Sequence, residues 1–213
     1  MEFLGELAAR RNLPVHSHMG EGDFDIEIVA KRFPNDRVYA NVYNRYGLFG
    51  QTPTVMAHCL TGTDEEIDLM AKNKVMVAHC PNAALNNPSG YLFPIRKYLD
   101  AKVPVGLASD IGGGHAISMM QNIVASIQMS KQFEAKSLTA AEAFYIATKG
   151  GGALFGKVGS FEKGYEFDAL IIDDSNLNRH VRYSLYERLQ RFLYCGVSSN
   201  IVGRYCSGNE VII

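Results

Sequence analysis

Four side chains that can bind a metal lie at the ends of four short apolar segments. His18, His58 and His79 each close such a segment, and Asp110 follows a fourth. Burying this many titratable groups costs free energy unless they are paired or hold a metal ion. Zinc and ferrous iron accept imidazole and carboxylate ligands together, and a metal-bound water becomes a nucleophile near neutral pH. The pattern therefore predicts a metal site that activates water.

A carboxylate lies close to the first of these histidines. Glu21 follows His18 by three residues, which places it just beyond the end of the strand. There it can take a proton from a metal-bound water and pass it to a leaving amine, although a lone carboxylate at this position more often caps the following helix. His16 faces the same side of the strand as His18. It is either a second metal ligand or an inward-packing side chain.

The remaining histidines, the cysteines and a glycine run give weaker indications. His115 follows the glycines at 112–114, which lack the Lys-Ser/Thr of a phosphate-binding loop, and His180 lies among charged residues. Both histidines are interpreted as solvated or loop-holding. The four cysteines form no CxxC pair, so we expect reduced thiols. Cys59 and Cys80 are interpreted as small buried side chains rather than as a disulfide or a thiolate metal site.

The elements that must position these side chains alternate between strand and helix. Apolar β-branched runs predict the strands, and helical periodicity with two capping boxes predicts the helices. This alternation indicates βα units and a parallel sheet, in which active sites lie at the carboxyl ends of the strands. All four candidate side chains obey this rule. The predicted strands are 13–18, 54–58, 74–79 and 103–109, and the predicted helices are 1–10, 24–33, 63–72, 90–101, 116–133 and 139–148.

The pattern changes after residue 156. Residues 164–173 predict a further strand, residues 182–194 a helix, and residues 201–213 a hairpin with a turn at 207–209. We therefore predict two domains. The first is an α/β unit over residues 1–156, and the second is a small β appendage with a helix over residues 157–213.

Composition excludes several classes of function. The chain has 213 residues, a net charge of −1 and scattered Lys and Arg, which argues against nucleic-acid binding. No apolar run approaches the roughly 20 residues needed to cross a bilayer. The acidic amino-terminal residues do not resemble a secretory signal. We therefore expect a cytoplasmic protein with neither a nucleic acid nor a membrane as partner.

Four motifs resemble those of the guanine deaminase family, within the amidohydrolase superfamily. They look like the ends of strands five to eight of the family's barrel, and a fifth stretch looks like the return to its β-sandwich. The likeness covers nearly the whole chain, and the insert around Val42 favours guanine deaminases over related chlorohydrolases and adenosine-type deaminases. The stretches are 15–21 (VHSHMGE), 55–59 (VMAHC), 77–82 (VAHCPN), 106–114 (GLASDIGGG) and 159–169.

The resemblance implies a role for each candidate side chain. His18 and Asp110 would bind the metal, which is zinc or, as the alternative, iron. Glu21 would act as acid and base and contact the substrate, and His58 would hold the hydrolytic water. Asp110 would also shuttle a proton, and His79 would bind the purine substrate. The implied reaction is the zinc-dependent hydrolytic deamination of guanine to xanthine and ammonia.

The implied fold is part of a (β/α)8 TIM barrel, about strands five to eight over residues 1–156. The family's strand-one His-x-His pair has no counterpart here, nor do the strand-four Arg and Phe that grip the purine. Ala84 stands where relatives commonly have Asn. We therefore expect a fragment or one half of a split protein, inactive alone, that forms a homo-oligomer or needs a complementing amino-terminal half. The alternatives are an amidohydrolase acting on another aminated ring or a chlorinated triazine, and a non-catalytic remnant that serves as an interaction module.

Overall fold

A four-stranded parallel sheet lies at the centre of the structure, a computed structural model that describes residues 1–177 and 181–212. The strands pair in the order of the sequence, so each is joined to the next by a helical connection. In this register His18 lies beside Ala57 and His79 beside Leu107, which brings the carboxyl ends together at one edge. The predicted α/β fold is confirmed. The strands are β1 (Val15–Met19), β2 (Thr54–His58), β3 (Met76–His79) and β4 (Val105–Leu107).

Nine α-helices are described, and two of them were not predicted from the sequence. Tyr39–Arg45 is rich in residues of modest helix propensity, and Pro81–Asn86 begins with a proline at a position where the missing N–H is not needed. None of the described helices is long and apolar enough to cross a membrane. The helices are α1 (Glu2–Arg11), α2 (Asp23–Arg32), α3 (Tyr39–Arg45), α4 (Asp64–Asn73), α5 (Pro81–Asn86), α6 (Ile95–Asp100), α7 (Met119–Phe133), α8 (Ala140–Tyr145) and α9 (Leu185–Cys195).

Both predicted capping boxes are present, and α8 continues into two irregular helical turns. Thr63 and Thr139 each accept a hydrogen bond from the amide of the glutamate three residues on, and that glutamate bonds back to the threonine amide. After α8 the chain continues through a π-helical turn (Ile146–Gly150) and a 3-10 turn (Ala153–Phe155). The glycines at 150–152 therefore loosen the helix, which does not end there.

A second, antiparallel sheet follows, formed by β5 (Ala169–Ile172), β6 (Ile201–Cys206) and β7 (Asn209–Glu210). The hairpin between β6 and β7 turns through Ser207 and Gly208, which both have positive φ angles, as a two-residue hairpin loop requires. The predicted strand at 164–173 is shorter than expected, because residues 164–168 form a turn and a loop. Residue 213, the end of the predicted hairpin, lies outside the described residues.

The two faces of the parallel sheet have different surroundings. Met56, Val77 and Val105 point toward the helices and belong to the main hydrophobic core. The opposite face, which we call the inner face, lines an open cavity of about 720 Å³. The described helices therefore pack on the first of these faces, and the second lines the cavity. The inner face includes His16, His18, Val55, Ala57, Met76, Ala78, Cys80, Gly106 and Asp110.

Candidate metal and acid–base site

The carboxyl ends of the parallel strands bring four of the predicted side chains together. His58 Nε2 lies 3.7 Å from Glu21 Oε2, and the His58 ring stacks on the His18 ring with centroids 5.1 Å apart. A carboxylate oxygen of Asp110 lies within 4.8 Å of an imidazole nitrogen of His58. Glu21 follows β1, His58 ends β2 and Asp110 follows β4. The strand-end rule therefore placed these side chains correctly.

An unusual backbone conformation aims two of these side chains. His58 has a φ angle of 71° and Asp110 one of 45°, both in the left-handed region. A residue with a Cβ adopts this region at a cost of about 1–2 kcal/mol. In a regular strand His58 would point away from the inner face, because Val55 and Ala57 already occupy the inward positions. The left-handed turn redirects it, and such strained residues concentrate at functional sites.

Glu21 is free for chemistry because another residue caps the helix that follows it. The Asp25 carboxylate accepts hydrogen bonds from the backbone amides of Glu21 and Gly22, at 3.3 and 3.0 Å. This is the capping role that the sequence left open for Glu21. The Glu21 side chain is instead 40% exposed and points toward His58. The geometry thus favours an acid–base role over a capping role.

Two supporting residues carry no motif, so the sequence did not reveal them. Tyr43 donates a hydrogen bond to the His18 carbonyl at 3.0 Å and lies 2.8 Å from the Ser17 hydroxyl, which fixes the end of β1. Asn87 Nδ2 lies 3.4 Å from Glu21 Oε1. Both contacts join residues far apart in the chain, and only the folded structure brings these residues close.

Burial and nearby carboxylates set the protonation of the site. Burial lowers the pKa of His58 below its ordinary value, and the carboxylates of Glu21 and Asp110 oppose that effect. Burial dominates, so the imidazole is neutral at physiological pH, which is the form that binds metals and accepts hydrogen bonds. Burial, followed by the charge of Asp110, raises the pKa of the Cys80 thiol to about 12.

Cys80 joins the site, which the sequence did not predict. Its sulfur, an imidazole nitrogen of His58 and a carboxylate oxygen of Asp110 all lie within 4.8 Å of one another. This is a donor set that zinc accepts. His18 lies outside that group of three, although its ring stacks on His58. The described residues thus gather donors that fit a divalent metal at the carboxyl ends of the strands.

His79 lies on the other side of the sheet. It is 1% exposed, its Nε2 is 3.0 Å from the Ser126 hydroxyl of α7, and its ring stacks on Phe93 at 4.6 Å. Its Nδ1 has no hydrogen-bond partner, and burial lowers its pKa to about 3. In this arrangement His79 faces the helices and does not line the cavity. Its predicted contact with substrate stays a prediction.

The sequence offered three further histidines, of which the structure describes two. His16 lines the inner face with its ring 6.0 Å from that of His18, and His115 is exposed. His180 lies outside the described residues. A side chain added at Gly113 would meet Asp110 Oδ2 at 2.8 Å. This glycine therefore makes room for the carboxylate. All four cysteines are free, as expected.

The chain is similar to known proteins over nearly its whole length. A sequence model of the amidohydrolase family matches residues 1–211. Guanine deaminase of Dictyostelium discoideum is 34% identical over 99% of this chain and 49% of its own length, and human guanine deaminase is 33% identical over 100% and 50%. The crystal structure of guanine deaminase from C. acetobutylicum with bound guanine in the active site is 46% identical, with a TM-score of 0.94 over 99% of this chain and 51% of that one. The chain spans about half the length of the curated relatives it matches.

Proposed function

Because the chain belongs to the amidohydrolase family, we propose that it supplies part of the active site of a zinc-dependent guanine deaminase. The reaction is the hydrolysis of guanine to xanthine and ammonia, with iron as the alternative metal. The observation that carries the proposal is the meeting of Glu21, His58 and Asp110 at one end of the parallel sheet, beside an open cavity. The 46% identity to a guanine deaminase with bound guanine supports the choice of substrate.

We infer that β1 to β4 correspond to strands five to eight of a (β/α)8 barrel. In this proposal residues 1–156 are half of the barrel, and residues 157–213 are a β appendage. The consecutive parallel strands, with helices on one face and a cavity on the other, support this assignment. Four strands cannot close an eight-stranded barrel. A complementing half that contributes the remaining strands and a His-x-His pair would complete it, and a homo-oligomer is the alternative arrangement.

The chain's own residues have distinct tasks in the proposed reaction. His18 and Asp110 would hold the zinc ion, which supplies a bound water of lowered pKa as the nucleophile. Glu21 would take one proton of the attacking water and protonate a ring nitrogen of the purine. Neutral His58 would orient the water, and Asp110 would take its second proton and pass it to the departing amine. His79 holds the end of β3, just before α5, through its contacts with Ser126 and Phe93, and its contact with the purine stays a prediction.

The experiment pairs this chain with an amino-terminal half. The purified chain is mixed with the separately expressed amino-terminal half of the C. acetobutylicum relative, in the presence of zinc, and ammonia release from guanine is measured. The expected result is turnover by the mixture and little or none by either half. Glu21→Gln should lower the rate by about 10²- to 10⁴-fold, because it removes the acid–base group. Glu27→Gln, an exposed glutamate on α2, is the matched control and should leave the rate unchanged.

Two results would overturn the proposal. The first is a mixture that forms a stable, zinc-loaded complex by size-exclusion chromatography and metal analysis but releases no ammonia from guanine. The second is turnover that Glu21→Gln leaves intact. Full metal occupancy with turnover by the chain alone would instead retain the deaminase and remove the need for a complementing half. The same assay with adenine and a chlorinated triazine distinguishes guanine from the substrates of related enzymes.

A further inference from the structure

Helix α5 contacts both of the segments that carry carboxylates of the candidate site. Glu21 follows β1 and Asp110 follows β4, so the two residues come from opposite edges of the parallel sheet. Asn86 is the last residue of α5, and Asn87 is its C-cap. We call these two neighbours the asparagine pair. The Asn86 side chain reaches the segment after β4, and the Asn87 side chain reaches the segment after β1.

Asn87 contacts the Glu21 carboxylate on the oxygen that does not face His58. Asn87 Nδ2 lies 3.4 Å from Glu21 Oε1 and 3.5 Å from the Glu21 carbonyl oxygen. The other carboxylate oxygen lies 3.7 Å from His58 Nε2. Asn87 Oδ1 accepts a hydrogen bond from the Ser89 amide at 2.9 Å, which fixes the direction of the side-chain amide. The two oxygens of Glu21 therefore have different neighbours, and the carboxylate has a defined orientation.

Asn86 holds the turn against which the Asp110 carboxylate rests. This turn closes with a hydrogen bond from the Gly114 amide to the Asp110 carbonyl at 2.7 Å. A Cβ at Gly113 would come within 2.8 Å of Asp110 Oδ2, so the carboxylate lies directly against this glycine. Asn86 Nδ2 donates to the Gly113 carbonyl at 2.9 Å. The helix itself packs on the turn, because a Cβ at Gly114 would come within 3.3 Å of the Ala83 nitrogen.

Further hydrogen bonds anchor α5 and the loop that follows it. Asn82 on α5 donates to Asn122 Oδ1 on α7 at 2.9 Å, and both side chains are buried. Asn122 in turn donates to two backbone carbonyls just ahead of α7, at 2.9 and 3.0 Å. Beyond the asparagine pair, the Tyr91 hydroxyl donates to Asp23 Oδ1 at 2.8 Å. The pair therefore extends from a platform that is fixed on both sides.

We propose that Asn86 and Asn87 are positioning residues, which fix the two carboxylates of the site relative to each other. The inference rests on the proposed function, in which Glu21 and Asp110 each take a proton of the same water. Proton transfer requires each carboxylate within hydrogen-bond reach of that water, and a displacement of about an ångström can cost about a hundredfold in rate.

Steady-state kinetics of the mixture with the amino-terminal half tests this role. Asn87→Asp retains the acceptor for the Ser89 amide but replaces the donor near Glu21 with a like charge. Asn86→Asp removes the donor to the Gly113 carbonyl. Each substitution should lower kcat by about ten- to a hundredfold and change KM by no more than about threefold, because it disturbs proton transfer and leaves the bound purine in place. Asn87→Ser, which adds no charge, should give the same pattern and provides the test if Asn87→Asp does not fold.

Asn73→Asp is the matched control. The Asn73 side chain also donates two hydrogen bonds, to Asn44 Oδ1 at 3.0 Å and to the Phe49 carbonyl at 2.8 Å. It ends α4, which leads into the amino end of β3, away from the site. This variant adds the same charge and should lower the stability, but it should leave kcat unchanged. A purely structural role of the asparagine pair would give the same result as this control.

Hydrogen–deuterium exchange of the full chain alone gives a second measurement, which does not depend on turnover. Asn87→Asp should speed exchange over residues 20–23 by at least about threefold and leave residues 110–114 unchanged. Asn86→Asp should do the reverse, and Asn73→Asp should change neither segment.

The two measurements separate this inference from the proposed function. If the wild-type mixture is active and both variants of the pair match Asn73→Asp in kcat and in exchange, the deaminase stands and the positioning role is refuted. If the wild-type mixture forms but releases no ammonia, the proposed function fails. Exchange then decides alone, and unchanged rates over both segments would refute the inference.

Discussion

The buried His79 should make the stability of this protein depend on pH. Burial lowers its pKa from 6.5 to about 3 in the folded chain, because the ring lies in the core against Phe93 and Ser126. The unfolded chain takes up a proton at this residue below pH 6.5, while the folded chain stays neutral until about pH 3. The free energy of unfolding therefore falls as the pH drops through this window, and above pH 6.5 His79 has little effect on it.

The size of the effect follows from the gap between the two pKa values. Each pH unit below 6.5 lowers the free energy of unfolding by about 1.4 kcal/mol, so the loss between pH 7 and pH 5 is about 2 kcal/mol. The whole window down to about pH 3 contributes about 5 kcal/mol. A typical domain is stable by only about 5–15 kcal/mol, so the effect is easily measured.

Urea denaturation at pH 7, 6 and 5 tests this expectation. The chain has no tryptophan, so far-ultraviolet circular dichroism is the suitable signal. His79→Asn lowers the stability at pH 7 but should remove about 2 kcal/mol of the loss between pH 7 and pH 5. His115→Asn, at an exposed histidine, should retain the wild-type dependence. Parallel losses in the wild type and His79→Asn would refute the reasoning.

Three further predictions concern packing around the sheet. Arg96→Met should lower the free energy of unfolding by about 2–3 kcal/mol, because the Arg96 guanidinium donates to both carboxylate oxygens of Glu142, at 2.7 and 2.9 Å. A loss below about 0.5 kcal/mol in urea denaturation would contradict this. Gly106→Ala should lower the free energy of unfolding by about 1–3 kcal/mol, because the added Cβ would come within 2.9 Å of Gly151 Cα. The control Gly151→Ala should lower it less, because the closest contact of its Cβ would be at 3.3 Å. Equal shifts of the two variants in thermal unfolding would contradict the contact. Tyr98→Phe should lower the free energy of unfolding by about 1–2 kcal/mol, because the buried Tyr98 hydroxyl donates a hydrogen bond to a backbone carbonyl at 2.7 Å. A variant with wild-type stability in urea denaturation would contradict this.

The fold and part of the site were predictable from local patterns. The strands of the parallel sheet are short β-branched runs, and the rule that functional groups follow strand ends placed His18, Glu21, His58 and Asp110 at one edge. The helix α3 was missed because its stability comes from burying Ala40 and Val42, and its own sequence has little helical preference. Tertiary packing decides such elements.

The contrast between His58 and His79 shows where sequence reasoning fails. Both histidines end a strand and both precede a cysteine, so the sequence treats them alike. His79 keeps the regular alternation of β3, in which Met76, Ala78 and Cys80 face inward, and it therefore faces the helices. His58 leaves the alternation through its left-handed backbone. The same geometry brings Cys80 inward, and no spacing motif records it.

The left-handed backbone at His58 and Asp110 also bears on how such a protein would evolve. A glycine at either position adopts the same conformation without the steric penalty of a Cβ, and an asparagine tolerates it better than most residues. Once selection for activity ceases, these substitutions remove the imidazole or the carboxylate and relieve the steric strain of the left-handed backbone. A descendant with glycine or asparagine at these two positions would retain its shape and stability as a folded pseudoenzyme. Those two positions are therefore the ones to inspect when homologous chains are sorted into active and inactive forms.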